Sequence, residues 1–248
     1  MQHTIYEGFE LPSKGLIYDK PINPQVTLTS MTTAEEMQRL SPTSTPYKVM
    51  SDIIEECMKE KPEISVYDMC IGDYQFLLHK LRIVTYGSAY LMDIRCPNCG
   101  DITSVEADLE TLKVREWSED FVDAKRITLP RSGNIIELKP QTPRDLDTIE
   151  YKAKELANKA KTGLSYKFLF TVMANIKTVD GRALNSMQLE NYVRGLPLRD
   201  ANFILNKANE LSERVGLDTN IRVMCPKCGY ELVTPFRITS EFFGPTNY

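Results

Sequence analysis

Cys96-Pro97-Asn98-Cys99-Gly100 and Cys225-Pro226-Lys227-Cys228-Gly229 are two copies of one pattern, Cys-Pro-x-Cys-Gly. Residues 100–224, 125 in all, separate Cys99 from Cys225. In each copy the proline sets φ for a tight bend, and the glycine lets the backbone turn with positive φ beyond the second cysteine. Each bend therefore presents two sulfurs on one side. Two bends supply four soft ligands, the donor set of a tetrahedral zinc ion. The sequence thus predicts a structural Zn2+ held by Cys96, Cys99, Cys225 and Cys228, either within one chain or with the turns drawn from two chains.

The flanks agree with this reading. Ala89–Arg95 and 101–109 are strand-like around the first turn, as Asn220–Met224 and Glu231–Arg237 are around the second. This is the layout of a zinc ribbon. Structural zinc contributes about 10–16 kcal/mol in small peptides. Closing a loop of this length costs on the order of 5 kcal/mol in the chain-entropy model. One ion can therefore hold the ends of a long excursion together. A fourth thiolate closes the position that water or substrate would need, which argues against catalytic zinc. Disulfide or redox use is the alternative. It fits less well, because a thioredoxin-type pair opens a helix and these turns lead into strands.

Composition bounds the rest. The 248 residues are 42% hydrophobic and 26% charged, ordinary for a globular protein, and the net charge is −4. An acidic chain argues against broad nucleic-acid binding, which needs a basic surface. No apolar run approaches the roughly 18 residues of a membrane span. Met1-Gln2-His3-Thr4 does not read as a secretion signal, so six cysteines point to a reducing compartment rather than a disulfide scaffold.

The chain reads as α+β. Residues 1–30 form an extended segment with a turn at Leu11–Gly15 and a strand at Val26–Thr29. Residues 31–88 are helical. Thr33-Ala34-Glu35-Glu36 reads as a capping box that opens a helix ending near Leu40. A second helix covers about 48–60, and a third runs from about Asp73 to Tyr86 with Gly87 as its cap. Its apolar face is Tyr74, Leu77, Leu78, Leu81 and Val84, opposite Gln75, His79 and Arg82. Residues 89–139 and 217–248 make the zinc-binding β module, including a hairpin at 126–138. Residues 140–216 are a mostly helical insertion. Within it, Thr142-Pro143 starts a helix whose stripe is Leu146, Ile149, Ala153, Leu156, Ala157 and Ala160. Phe168–Ala174 is helix or buried strand, and helices near 186–194 and 198–214 end at a Gly216 cap.

The remaining candidates are weaker. Cys57 and Cys70 read as core cysteines. His3 and His79 read as surface histidines, and Glu35-Glu36 and Glu55-Glu56 as solvated helix faces. No Ser/His/Asp set, phosphate loop or dinucleotide fingerprint is visible. Leu11-Pro12-Ser13-Lys14-Gly15-Leu16-Ile17-Tyr18 is either a surface turn or a docking loop with Leu11, Pro12, Ser13, Lys14, Gly15 and Tyr18 as partner contacts. Phe242 and Phe243 are either core or a partner-binding end. Arg95, Arg222, Lys227 and Arg237 beside the ribbon support a second function class, a zinc-ribbon nucleic-acid-binding regulator.

Taken together these motifs resemble the T4-type bacteriophage baseplate hub assembly chaperone family. Leu11–Tyr18 is similar to its Leu-Pro-Ser-(Lys/Arg)-Gly-x-x-Tyr signature. Gly72-Asp73, with Arg82, Thr85, Tyr86 and Gly87, is similar to its Gly-Asp…Arg-x-x-(Ser/Thr)-Tyr-Gly helix. Both cysteine turns and the closing Phe242-Phe243-Gly244-Pro245 fit its zinc-bearing members. The resemblance implies a non-enzymatic structural or assembly protein of a contractile-tail baseplate hub. It would bind hub and tail-tube proteins, with self-association also compatible. It would act in the host bacterial cytoplasm during assembly and in the tail baseplate of the virion.

Overall fold

The computed structural model describes residues 6–160, 165–235 and 240–243. In chain order the elements are β1 (Tyr6–Glu10), β2 (Gln25–Thr29), α1 (Thr33–Arg39), α2 (Pro46–Glu56) and α3 (Ile71–Tyr86). Then come β3 (Ala89–Arg95), β4 (Ile102–Asp108), β5 (Val114–Arg115), α4 (Asp120–Ala124), β6 (Arg126–Thr128) and β7 (Ile135–Leu138). They are followed by α5 (Pro143–Ala160), α6 (Lys167–Ala174), β8 (Ile176–Val179), α7 (Ser186–Gly195) and α8 (Leu198–Ser212). The chain closes with β9 (Gly216–Leu217), β10 (Asn220–Met224) and β11 (Glu231–Pro235). His3, Arg237 and Gly244-Pro245 lie outside the described residues.

The fold is α+β, with small antiparallel sheets. Two hydrophobic cores organise it. The first gathers β2, α2, α3, the inner faces of β3, β4 and β10, and Phe242 and Phe243. The second gathers β6, β7, β8, α6 and residues of α7 and α8, with Ile17 and Cys70 reaching in from the N-terminal part. The hairpin β6–β7 pairs with β8 in one three-stranded sheet, so these strands share a sheet with the helical excursion. The apolar run at 168–174 is helix α6, packed between α5 and α7.

Helix α3 lies at the junction of the two cores. It is buried on nearly every side, and its buried residues include Asp73, His79 and Arg82 as well as Phe76, Leu77 and Leu81. The expected polar face is therefore internal, and His79 is not a surface histidine, being 1% exposed. Its Nε2 lies 2.9 Å from the Leu109 carbonyl oxygen, while Nδ1 has no hydrogen-bond partner among the described residues. Burial pushes the imidazole down to about 4, so it is neutral at pH 7. Arg82 spends its charge on carbonyls. Its Nε donates to Phe242 O and its Nη1 to Gly87 O, both at 3.0 Å, and the guanidinium stacks 4.8 Å from the Tyr86 ring centre.

Two other expectations shift. The capping box is Thr32 with Glu35, one residue before the expected pair. The doublets Thr32-Thr33 and Glu35-Glu36 offer both registers equally. Gly216 does not cap α8, which ends on Glu213. Instead Gly216 sits in β9 against Gly72, where a Cβ would stand 2.8 Å from the Gly72 Cα. This glycine–glycine contact brings α3 and β9 to backbone distance.

Candidate metal centre

The hairpins β3–β4 and β10–β11 position the cysteine turns. In β3–β4, Ala89 pairs with Asp108 and Arg95 with Ile102; in β10–β11, Asn220 pairs with Pro235 and Met224 with Glu231. Side chains alternate across each hairpin as strand geometry requires. Tyr90, Met92, Ile94, Val105 and Ala107 face inward on one hairpin, and Ile221, Val223 and Leu232 on the other. These inward residues share the first core, which brings the two turns to the same end of the ribbon.

The turns are built alike. Cys96 N–H donates to Asp101 O at 2.9 Å and Gly100 N–H to Cys96 O at 2.9 Å. Cys225 N–H donates to Tyr230 O at 2.9 Å and Gly229 N–H to Cys225 O at 2.8 Å. Gly100 and Gly229 have φ of 72° and 68°, the left-handed conformation that glycine adopts without strain.

All four sulfurs lie within 4.8 Å of one another. Across the turns, Cys96 Sγ is 3.6 Å from Cys228 Sγ, and Cys99 Sγ is 3.8 Å from Cys225 Sγ. These separations exceed a disulfide bond of about 2.05 Å. They match the edge of a tetrahedron of four metal–sulfur bonds of about 2.3 Å, which is about 3.8 Å. The four cysteines can therefore hold a metal ion, and one chain supplies the whole donor set. Cys96 and Cys225 are buried beneath the site, while Cys99 and Cys228 face solvent. The Tyr230 N–H, with the Asn98 amide, stabilises the Cys228 thiolate and holds its thiol at about 6. The Asp101 N–H favours the Cys99 thiolate too, but lost solvation and neighbouring thiols outweigh it and push that thiol up to about 12.

Of the flanking cations, Lys227 pairs with Asp101 at 2.9 Å and Arg222 faces Glu231 at 3.8 Å. Both pairs are exposed and contribute little to stability. They also reduce the free positive charge at the ribbon.

The other residues singled out in the sequence lie elsewhere, and most are internal. Leu11 and Ser13 are buried at 1% and 0% exposure, Pro12 and Gly15 are also buried, and Tyr18 is half-buried. The buried Asp73 carboxylate gathers this loop. It accepts the Ser13 N–H at 3.0 Å, and the Ser13 and Tyr18 hydroxyls at 2.5 Å each. Lys14 turns outward to Glu116 at 2.7 Å. Phe242 and Phe243 are buried and meet edge to face, with ring centres 5.3 Å apart. Leu11, Phe242 and Phe243 thus fill the first core and Ser13 and Tyr18 satisfy a buried carboxylate, while Lys14 stays at the surface. Cys57 and Cys70 are buried, as core cysteines should be, and burial pushes the Cys57 thiol up to about 12.

Sequence reasoning missed two more buried aspartates. Asp147 of α5 accepts the Lys48 N–H at 2.9 Å and the Tyr67 hydroxyl at 3.1 Å, capping α2. Asp200 of α8 accepts the Arg131 and Ser132 N–H groups at 2.9 Å each. Asp73, Asp147 and Asp200 each tie a helix to a segment distant in sequence. Asp200 follows Pro197-Leu198-Arg199 near a helix start, a local signal for an N-terminal acid. No local signal marks the partners.

No similar protein was found among curated proteins, and none among solved structures. The family described as T4 bacteriophage base plate protein matches residues 6–244, nearly the entire chain. The chain belongs to that family.

Proposed function

We propose that this protein is a non-enzymatic structural or assembly component of the baseplate hub in a contractile phage tail, with a structural Zn2+ in the four-cysteine cage and hub or tail-tube proteins as its partners. The family match over residues 6–244 is the observation that carries the baseplate part of this reading. Zinc is favoured by four thiolates at tetrahedral spacing around a single-ion site. Such an ion would have no open position for substrate. It would pin the ribbon and fix the surface that other proteins meet. The buried carboxylates Asp73, Asp147 and Asp200 are engaged by backbone N–H groups, so they serve the fold. Among the described residues no helix is long and apolar enough to cross a membrane.

On this reading the Leu11–Tyr18 loop and Phe242-Phe243 influence partners through the surface they support. The protein works in the host cytoplasm during assembly and at the tail baseplate thereafter. The test is recovery of tagged protein from infected cells, followed by mass spectrometry of what accompanies it. Hub or tube proteins retained through a salt wash support the reading. Recovery of the folded protein with nucleic acid alone, lost steeply as salt rises, favours the regulator reading instead.

A further inference from the structure

In each cysteine turn the residue between the cysteines reaches across to the other turn. Asn98 Nδ2 lies 3.6 Å from Cys228 Sγ and donates to it. Lys227 Nζ lies 2.9 Å from Asp101, the residue that follows Gly100 of the first turn. The two variable positions of Cys-Pro-x-Cys-Gly therefore tie the halves of the cage crosswise. One tie ends on a ligand sulfur, and the other places a cation between the turns.

We infer that Asn98 is a positioning residue of the metal centre, and that its amide holds the Cys228 sulfur in place for the ion. Lys227 supports the same geometry from the opposite side. This rests on the proposed zinc reading. A metal held by four thiolates leaves the cluster with net negative charge, and an N–H aimed at a sulfur disperses that charge. Groups behind the ligands orient them, and their loss typically weakens metal binding about 10–100-fold. Asn98 is exposed and packs against no core, so replacing it spares the fold. Lys227 donates to the Asp101 carboxylate rather than to a sulfur, so its removal acts less.

The experiment is zinc affinity by competition with a chromogenic chelator, using the full chain, with Co2+ spectra as a second readout. Asn98→Ala removes the donor. Asn98→Asp keeps the shape, removes the donor and adds negative charge. The expected order of affinity is wild type, then Asn98→Ala, then Asn98→Asp, with at least a tenfold loss for Asn98→Asp. The Co2+ thiolate charge-transfer band should shift in both variants, a change that mere turn-filling would not produce. Equal affinity and identical spectra for all three proteins would overturn the inference while leaving the zinc reading intact. A folded wild type that takes up no Zn2+ or Co2+ removes both.

Discussion

Replacing Gly72 by alanine sets two effects of opposite sign against each other. Inside a helix the change from glycine to alanine ordinarily gains about 1 kcal/mol. Gly72, however, is the second residue of α3 and lies against β9. An added Cβ would stand 2.2 Å from the Val215 carbonyl oxygen, 2.9 Å from the Val215 carbonyl carbon and 3.4 Å from the Gly216 Cα. All three atoms are backbone, so no rotamer relieves the contact. Overpacking costs about 1–3 kcal/mol, and a backbone clash belongs at the upper end. The net expectation is a loss of about 2 kcal/mol, which lowers Tm by about 4–8 °C in a chain of this size. Gly195→Ala is the control, because a Cβ there meets nothing within 4 Å. It should leave Tm unchanged or raise it. Parallel thermal melts by circular dichroism and calorimetry decide. If Gly72→Ala rises with Gly195→Ala, α3 and β9 are not in backbone contact and the joint between the cores is misplaced.

Two further perturbations probe the interior of α3. His79 is held at about 4 against an ordinary 6.5, so the unfolded chain binds the proton more tightly. Stability from this group is complete above pH 6.5 and is lost as pH falls from there through 4, by on the order of 3 kcal/mol. Urea midpoints against pH should therefore fall more steeply in the wild type than in His79→Gln; parallel profiles would count against a buried neutral imidazole. Ser13→Ala and Tyr18→Phe each remove a hydrogen bond to the Asp73 carboxylate and should each cost about 1.5–3 kcal/mol. Because both meet one acceptor, a double-mutant cycle should show coupling of at least about 0.5 kcal/mol. Additive, near-zero losses would refute the clasp.

Local signals in the sequence located the ribbon well and the centre of the molecule poorly. Strand β3 runs over the expected Ala89–Arg95, and the cysteine turns carry the expected positive-φ glycines. Those features depend on neighbours in sequence. The pattern assigns α3 a polar side because amphipathicity assumes that one face meets water, and this helix is covered all round. His79 then meets the Leu109 carbonyl, Arg82 the Phe242 carbonyl, and Asp73 the Ser13 and Tyr18 hydroxyls, all from segments distant in sequence. The joining of Gly72 to Gly216 is likewise invisible to any local pattern. The same limit explains the Leu11–Tyr18 loop. Its apolar residues suggested anchors for a partner, but the acceptor for Ser13 and Tyr18 is Asp73, 55–60 residues away. Two of the motifs that carried the family resemblance thus meet each other inside the protein. Arg82, from the same helix motif, meets the closing phenylalanines through Phe242 O. The motifs are legible in the sequence, and the contacts between them are not.

The zinc proposal requires one ion to join two turns that lie half the chain apart. Native mass spectrometry of the freshly purified protein tests it directly, beside a Cys96→Ser/Cys225→Ser variant. One zinc ion per chain is expected in the wild type and none in the variant. A wild-type chain that is folded, fully reduced and free of metal would contradict it.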